Sequence, residues 1–340
     1  MKALQLQGLG QVALVEAPRP KVAPDEVLVK TGASTICTSD LNDIRENPFG
    51  IEFPVILGHE AAGTVIEVGS QVQDLKRGDR VATSPVAPCG TCANCRRSWP
   101  HLCLNVSHFG IDLQGTFAEY FPVRVDRARA ISDEVPLTVA ALAEPVSVCL
   151  EALSQAQLPE GGKLLIIGDG PFGVLMARMA AQHPLEKVVI AGWEDFRLSF
   201  ATGAVQVNTF RMRDPQPPLR AEAGATGYDA VILAVSSAEA VRDGVALLRA
   251  KGRFVVFSAL PGETPVDLFD VHVRELEIVG ACNEQDRFYE AVDMLGDPEL
   301  QLGDLVTHTF PLERYDEALV LAEHGHDRAL KVAFTFEGES

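Results

Sequence analysis

The sequence predicts an α/β chain in which a doubly wound parallel sheet is inserted into a second, β-rich domain. Three observations carry that expectation. Short apolar strands alternate with helices between residues 163 and 258. The first third consists of β-branched runs broken by Gly, Pro and Asp, and the last sixty residues return to mixed strand and helix. At 340 residues the chain also has the length of two ordinary domains, at about 100–200 residues each.

The β-branched runs Val12–Val15, Glu26–Val29, Gly63–Val68 and Arg80–Thr83 have strand length. Leu137–Ala156 is rich in Ala, Leu and Val, and Pro145 marks a kink or a helix start within it. Lys163–Ile167 reads as a strand, Phe172–Gln182 as a helix and Lys187–Ala191 as a second strand. Asp229–Val235, Glu239–Arg249 and Arg253–Ser258 continue the alternation, which argues for a parallel sheet with helices on both faces. Phe288–Leu295 and Leu312–His324 read as helices and Lys331–Phe336 as a strand, while Glu337–Ser340 is expected to fray. The expected boundaries are 1–145 for the first domain, 146–280 for the doubly wound one, and 281–340 for the return.

With 47% hydrophobic and 22% charged residues, the chain can bury a core, which excludes disorder as its main state. Lys and Arg number 29 against 47 Asp and Glu, a net charge of −18 that disfavours nucleic acid and membrane surfaces as partners. Apolar stretches such as Leu164–Ile167 and Ala230–Val235 fall far short of the ~18 residues of a membrane span. Met1–Glu16 lacks the pattern of a signal peptide, so a soluble, cytoplasmic protein is expected.

Four of the seven cysteines form Cys89-x2-Cys92-x2-Cys95-x7-Cys103 in a Gly/Pro/Asn-rich stretch. Paired C-x-x-C spacing reads as a closed structural zinc site, ahead of two incidental thiol pairs. Cys149 and Cys282, without metal-spaced neighbours, read as small core residues. Gly168-Asp169-Gly170-Pro171-Phe172-Gly173 is a G-x-G-x-x-G between a strand and a helix, the context of a dinucleotide turn. Gly168 would allow the tight turn, Gly170 the approach of a pyrophosphate, and Gly173 close helix–strand packing, with Pro171 and Phe172 opening the helix.

Gly58-His59-Glu60-Ala61-Ala62-Gly63, then Gly69, Val72 and Gly78-Asp79-Arg80-Val81, follow Cys37-Thr38-Ser39-Asp40. Together with the cysteine lobe and the βαβ region, this pattern resembles the zinc-containing medium-chain dehydrogenase/reductases over nearly the whole chain. Glu144-Pro145 points to their sorbitol (polyol) dehydrogenase-like branch. The resemblance implies a GroES-like catalytic domain, a Rossmann domain and two zinc ions per chain, one catalytic and one structural. It implies that Cys37 and His59 ligate the catalytic ion and that Glu60 or Glu144 completes the shell. Ser39 would then take the alcohol proton, and Asp40 would orient His59. A zinc ion with an open position makes an alkoxide accessible near neutral pH, and the hydride passes to a nicotinamide.

The implied activity is reversible oxidation of a polyol, sugar-derived or amino alcohol to a ketone, in a homodimer or homotetramer. The alternatives are a threonine-type dehydrogenase and a non-catalytic NAD(P)-binding protein. A zinc-free quinone or enone reductase would lack Cys37, His59 and the cysteine lobe. Three positions depart from the pattern. Asn42 replaces a proton-relay histidine, leaving the role to Asp43, a water or the cofactor ribose. Asn283-Glu284 stands where sorbitol dehydrogenases place Arg-Tyr. Registering Arg197 with the family's arginine puts Gly192 where an acid holds the adenosine ribose. The choice between NAD and NADP stays open, tilting to NAD because Glu194 and Asp195 follow at once. Trp193 reads as packing ahead of an adenine wall.

Overall fold

A computed structural model describes residues 1–210, 212 and 214–336, so the tail Glu337–Ser340 lies outside the described residues. The chain divides into two compact units. The first comprises Met1–Ser147, Glu284–Gly325 and the residues from Ala329 on; the second comprises Val148–Asn283 and His326–Arg328.

The first unit is organised around the strand Glu26–Thr35, whose alternating small and β-branched side chains are buried on both faces for most of its length. Along one edge it pairs antiparallel with Glu60–Val68, setting Thr35 opposite Glu60. Its other edge is shared: Tyr120–Arg124 covers Glu26 to Lys30, and Lys331–Thr335 covers Ala33 to Thr35. Arg80–Thr83, Ala128–Ala130 and Val306–Pro311 complete a seven-stranded sheet. Gly63 is required by proximity, because a Cβ there would lie 2.1 Å from the Lys30 carbonyl oxygen. Phe117 and Phe334 meet edge-on at 4.9 Å in a core with Leu4, Leu6 and Leu57.

The second unit holds six parallel strands in the order Val205–Asn208, Lys187–Gly192, Lys163–Ile167, Tyr228–Leu233, Leu248–Val256, Glu277–Gly280. In chain order this is 3-2-1-4-5-6, the doubly wound arrangement expected from the strand–helix alternation. Leu165, Val189, Val231 and Phe254 form its buried centre.

The helical stretch Leu137–Ala156 breaks between Ala140 and Ala143, and of the two readings of Pro145, kink or helix start, the second holds. Pro145 sits in the first turn of Ala143–Ala156, where its missing N–H has no helical partner to lose. Two expectations need correction. The twenty-residue stretch Leu137–Ala156 is, by length and composition, long and apolar enough to cross a membrane. Its apolar surface has a different destination, since 78% of that window is buried inside the protein. Finally, Cys149 is buried but Cys282 is exposed, so Cys282 is not a core residue.

Candidate metal centre and dinucleotide turn

Two neighbouring strand ends build the candidate metal centre in the first unit. Cys37 follows the strand Glu26–Thr35 and caps the helix Thr38–Arg45, while His59 immediately precedes the strand opened by Glu60. The ligand atoms of Cys37, His59 and Glu60, all three buried, lie within 4.8 Å of one another. Asp40 holds this geometry: Oδ2 accepts from the Cys37 amide at 2.8 Å, and Oδ1 faces His59 Nδ1 at 3.2 Å. With Nδ1 so engaged, Nε2 is the nitrogen left for a metal. Burial alone would lower the His59 pKa, but Asp40 and Cys37 together outweigh it and hold it well above the ordinary value. Ser39 Oγ lies 3.4 Å from His59 Nε2. A soft thiolate, an imidazole and a carboxylate converging in a buried pocket fit a zinc ion.

Two carboxylates contend for the third ligand position. Glu60 is fully buried and bound to Lys331, whose Nζ lies 2.8 Å from Oε1 and 2.7 Å from Oε2, and it also accepts from the Thr35 hydroxyl. Glu144 falls outside the three-residue cluster, yet its Oε2 is buried without a hydrogen-bond partner. Burial first, and then the nearby Glu60, push the Glu144 pKa up to about 7. An acid left in that state is costly unless a cation or another ligand reaches it. Asn42, in the relay position, accepts from Arg45 at 2.6 Å. Asp43 is buried, and burial followed by Asp40 raises its pKa to about 7.

Two neighbours of the centre were not singled out from the sequence. Lys331 opens an apolar strand, and a lysine in such a place was the available signal. His108 had none: its ring centroid lies 5.4 Å from that of His59, and Nδ1 is 2.7 Å from the Phe109 carbonyl. Burial, and then His59, lower its pKa to about 4, so at neutral pH Nδ1–H donates to that carbonyl and Nε2 is unprotonated. A cavity of about 820 Å3 in the same unit is mainly apolar, and none of Cys37, His59 or Glu60 borders it, so the chemistry lies elsewhere.

The cysteine lobe converges equally well. The Sγ atoms of Cys89, Cys92, Cys95 and Cys103 lie within 4.8 Å of one another. The pairs 89–103, 92–95 and 92–103 are 3.4, 3.5 and 3.8 Å apart. A tetrahedron of Zn–S bonds near 2.3 Å sets sulfurs about 3.8 Å apart, so the lobe is close to that geometry. The amides of Leu104 and Asn105 donate to Cys92 and Cys103. A backbone hydrogen bond from Thr91 leads in drawing the Cys89 pKa down to about 5, toward the thiolate a metal needs.

In the second unit, the glycine turn joins Lys163–Ile167 to the helix Pro171–Ala181. Gly168 has φ +128°, and a Cβ there would lie 2.5 Å from the Ala234 carbonyl oxygen. A Cβ on Gly173 would lie 1.9 Å from the Gly168 carbonyl oxygen, whereas Gly170, the N-cap, faces open space. Open space at a helix N-terminus suits a pyrophosphate. Gly192 ends the second strand and Arg197 lies half-buried in the helix beyond it. Trp193 is 63% exposed and packs edge-on against the exposed Phe210 at 5.9 Å, at the surface.

Metal chemistry in one unit and a dinucleotide turn in the other define a class, the metal-dependent oxidoreductases. Residues 23–133 match the alcohol dehydrogenase GroES-like domain, and residues 171–297 match the zinc-binding dehydrogenases. The chain is 30% identical to D-altritol 5-dehydrogenase of Agrobacterium fabrum, over 92% of this chain and 93% of that one. It is 29% identical to sorbitol dehydrogenase of Bacillus subtilis, over 98% and 96%. The solved galactitol-1-phosphate dehydrogenase of Escherichia coli superposes with a TM-score of 0.88 at 27% identity, covering 98% of this chain and all of that one. The chain belongs to the zinc-containing medium-chain dehydrogenase/reductases, on their polyol branch.

Proposed function

We propose that the protein oxidises a secondary alcohol of the polyol class reversibly to its ketone, using zinc and a nicotinamide dinucleotide, with NAD preferred. The observation that carries this reading is the buried convergence of Cys37, His59 and Glu60 within 4.8 Å. The polyol substrates named for the relatives support the substrate class. When bound, zinc supplies the acidity that eases removal of an alcohol proton, and the nicotinamide supplies the hydride acceptor.

The chain's own residues do the rest. Cys37, His59 and Glu60 would hold the catalytic zinc, with Glu144 as the spare carboxylate; Cys89, Cys92, Cys95 and Cys103 would hold the structural one. Asp40 fixes the His59 ring by binding Nδ1. Ser39, 3.4 Å from His59 Nε2, stands where its hydroxyl can accept the alcohol proton while passing its own on to a water or the cofactor ribose. Lys331 balances the Glu60 charge when the carboxylate is off the metal. Gly168, Gly170 and Gly173 shape the turn for the pyrophosphate, with Pro171 and Phe172 starting the helix whose N-terminus faces it, and Gly192 and Arg197 lie toward the adenosine end.

The test is a turnover screen of zinc-loaded protein with polyols, sugar alcohols, cyclitols, simple secondary alcohols and threonine, each with NAD and with NADP. Reduced-nicotinamide absorbance should rise with polyols. Turnover of threonine alone would move the substrate class, and no turnover from a chain carrying two zinc ions would remove the proposed reaction.

A further inference from the structure

We propose that Asp169, at the first variable position of the glycine turn, replaces the missing acid at the end of the second strand and selects NAD over NADP. This rests on the dinucleotide reading above.

In doubly wound nucleotide folds, an acid about 20 residues beyond the turn accepts from the adenosine ribose 2′-hydroxyl. Here that strand, Lys187–Gly192, ends on glycine. Gly192 is absent from the positive-φ residues, so the backbone conformation does not demand glycine. The neighbour does: a Cβ on Gly192 would lie 2.4 Å from Asp169 Cβ and 2.5 Å from Asp169 Oδ2. The Asp169 side chain occupies the volume that a side chain at 192 would need.

Its carboxylate is also pinned in place. Oδ2 accepts from the amides of Trp193 and Glu194 at 2.6 and 2.7 Å, at the C-terminal end of the strand. Oδ1 takes no part in those two bonds, and the residue is only half-buried, which leaves an acceptor for a ribose hydroxyl. The surroundings reject a phosphate. A cavity of about 650 Å3 beside the strand end is rimmed by Glu194, Asp195 and Asp327. Among the described residues, Arg328 is paired with Asp327 at 3.6 Å, and Arg197, a cation that could receive a 2′-phosphate, already lies in the field of Asp169 and Glu194. A 2′-phosphate of up to two negative charges would add to that excess of acid.

The test is direct binding, read by nicotinamide fluorescence without substrate, of NADH and NADPH to the zinc-loaded wild type and to Asp169→Asn. Asparagine keeps an acceptor for both amides and removes the charge. Wild type is expected to bind NADH at least about tenfold more tightly than NADPH. The variant should narrow that ratio at least about fivefold, chiefly by tightening NADPH. A wild type that favours NADPH or neither, or a variant with an unchanged ratio, would overturn the assignment while leaving the dehydrogenase reading intact. Binding of neither nucleotide would overturn both. Should circular dichroism show Asp169→Asn unfolded, Asp169→Gly, which removes the Cβ 2.4 Å from position 192, and the double variant Asp169→Gly/Gly192→Asp decide. The first makes room and the second returns a carboxylate to the strand end. Recovery of the wild-type ratio only in the double variant supports the assignment, and equal ratios in both overturn it.

Discussion

Lys331 and Glu60 form an ion pair at the bottom of the metal centre, with side chains 2% and 0% exposed and Nζ 2.7 Å from the nearer carboxylate oxygen. Burial by itself would lower the lysine pKa, but Glu60, Cys37 and Glu144 together outweigh it and raise the value, so the lysine stays charged. The carboxylate that would ligate zinc is therefore also the counter-ion of a buried lysine.

Removing one partner of a buried pair leaves a bare charge, at a cost of about 3–5 kcal/mol. Lys331→Met is expected to destabilise the metal-free protein by that amount in urea unfolding. The double variant Lys331→Met/Glu60→Gln should recover most of the loss. Equal stability of the single variant and wild type would show that the pair is not buried in solution.

Cys37→Ser removes the soft ligand of the centre while leaving the four-cysteine lobe untouched. Zinc by elemental analysis should fall by one ion per chain, with the fold retained by circular dichroism. Turnover should drop by about a thousandfold or more, since the metal contributes several kcal/mol and each 1.36 kcal/mol is tenfold. Unchanged metal content would move the site away from Cys37.

Asp43 gives a pH-dependent prediction for the metal-free protein. Its folded pKa is raised from 3.8 to about 7, so between those values the native state holds a proton that the unfolded state has released. Stability is therefore lost as pH rises through that window. Asp43→Asn removes the penalty, and the variant should match wild type near pH 4 and exceed it by about 1–3 kcal/mol at pH 8. Thermal melts at the two pH values read the difference; a variant advantage confined to low pH would contradict the sign.

Gly173→Ala would drive a methyl against the Gly168 carbonyl oxygen at 1.9 Å. The turn must open to relieve it, and NADH binding should be lost while zinc content stays at the wild-type level. Retained binding would mean that the nucleotide does not use this turn.

Much of the architecture was legible because it is local. Arg80–Thr83 and Lys163–Ile167 are self-contained apolar runs and form strands with those bounds. The alternation of strands with helices implied the parallel sheet, because a parallel connection needs a crossover long enough to hold a helix. Cys37, His59 and Glu60 were legible through their motif, and strand register brings them together. Tyr120–Arg124, with Pro122 in its middle, gave a weaker strand signal. Lys331 gave only the faint signal of a lysine opening an apolar strand, because it reaches Glu60 across 271 positions by strand pairing. Asp169 was hidden for the opposite reason: it occupies a position the glycine pattern leaves variable, and its meaning depends on the missing side chain at Gly192.

The placement of Lys331–Thr335 has a consequence for how the chain is made. A ribosome releases Glu60 long before Lys331, and until that last strand arrives the strand Glu26–Thr35 lacks its partner over Ala33–Thr35. During that interval a carboxylate destined for the interior has no counter-charge, and a sheet edge stands open to wrong partners. Val148–Asn283, by contrast, is contiguous and emerges with all six of its strands in hand. Vectorial synthesis thus favours completing the inserted unit first, leaving the metal-binding unit to close around a late-arriving lysine.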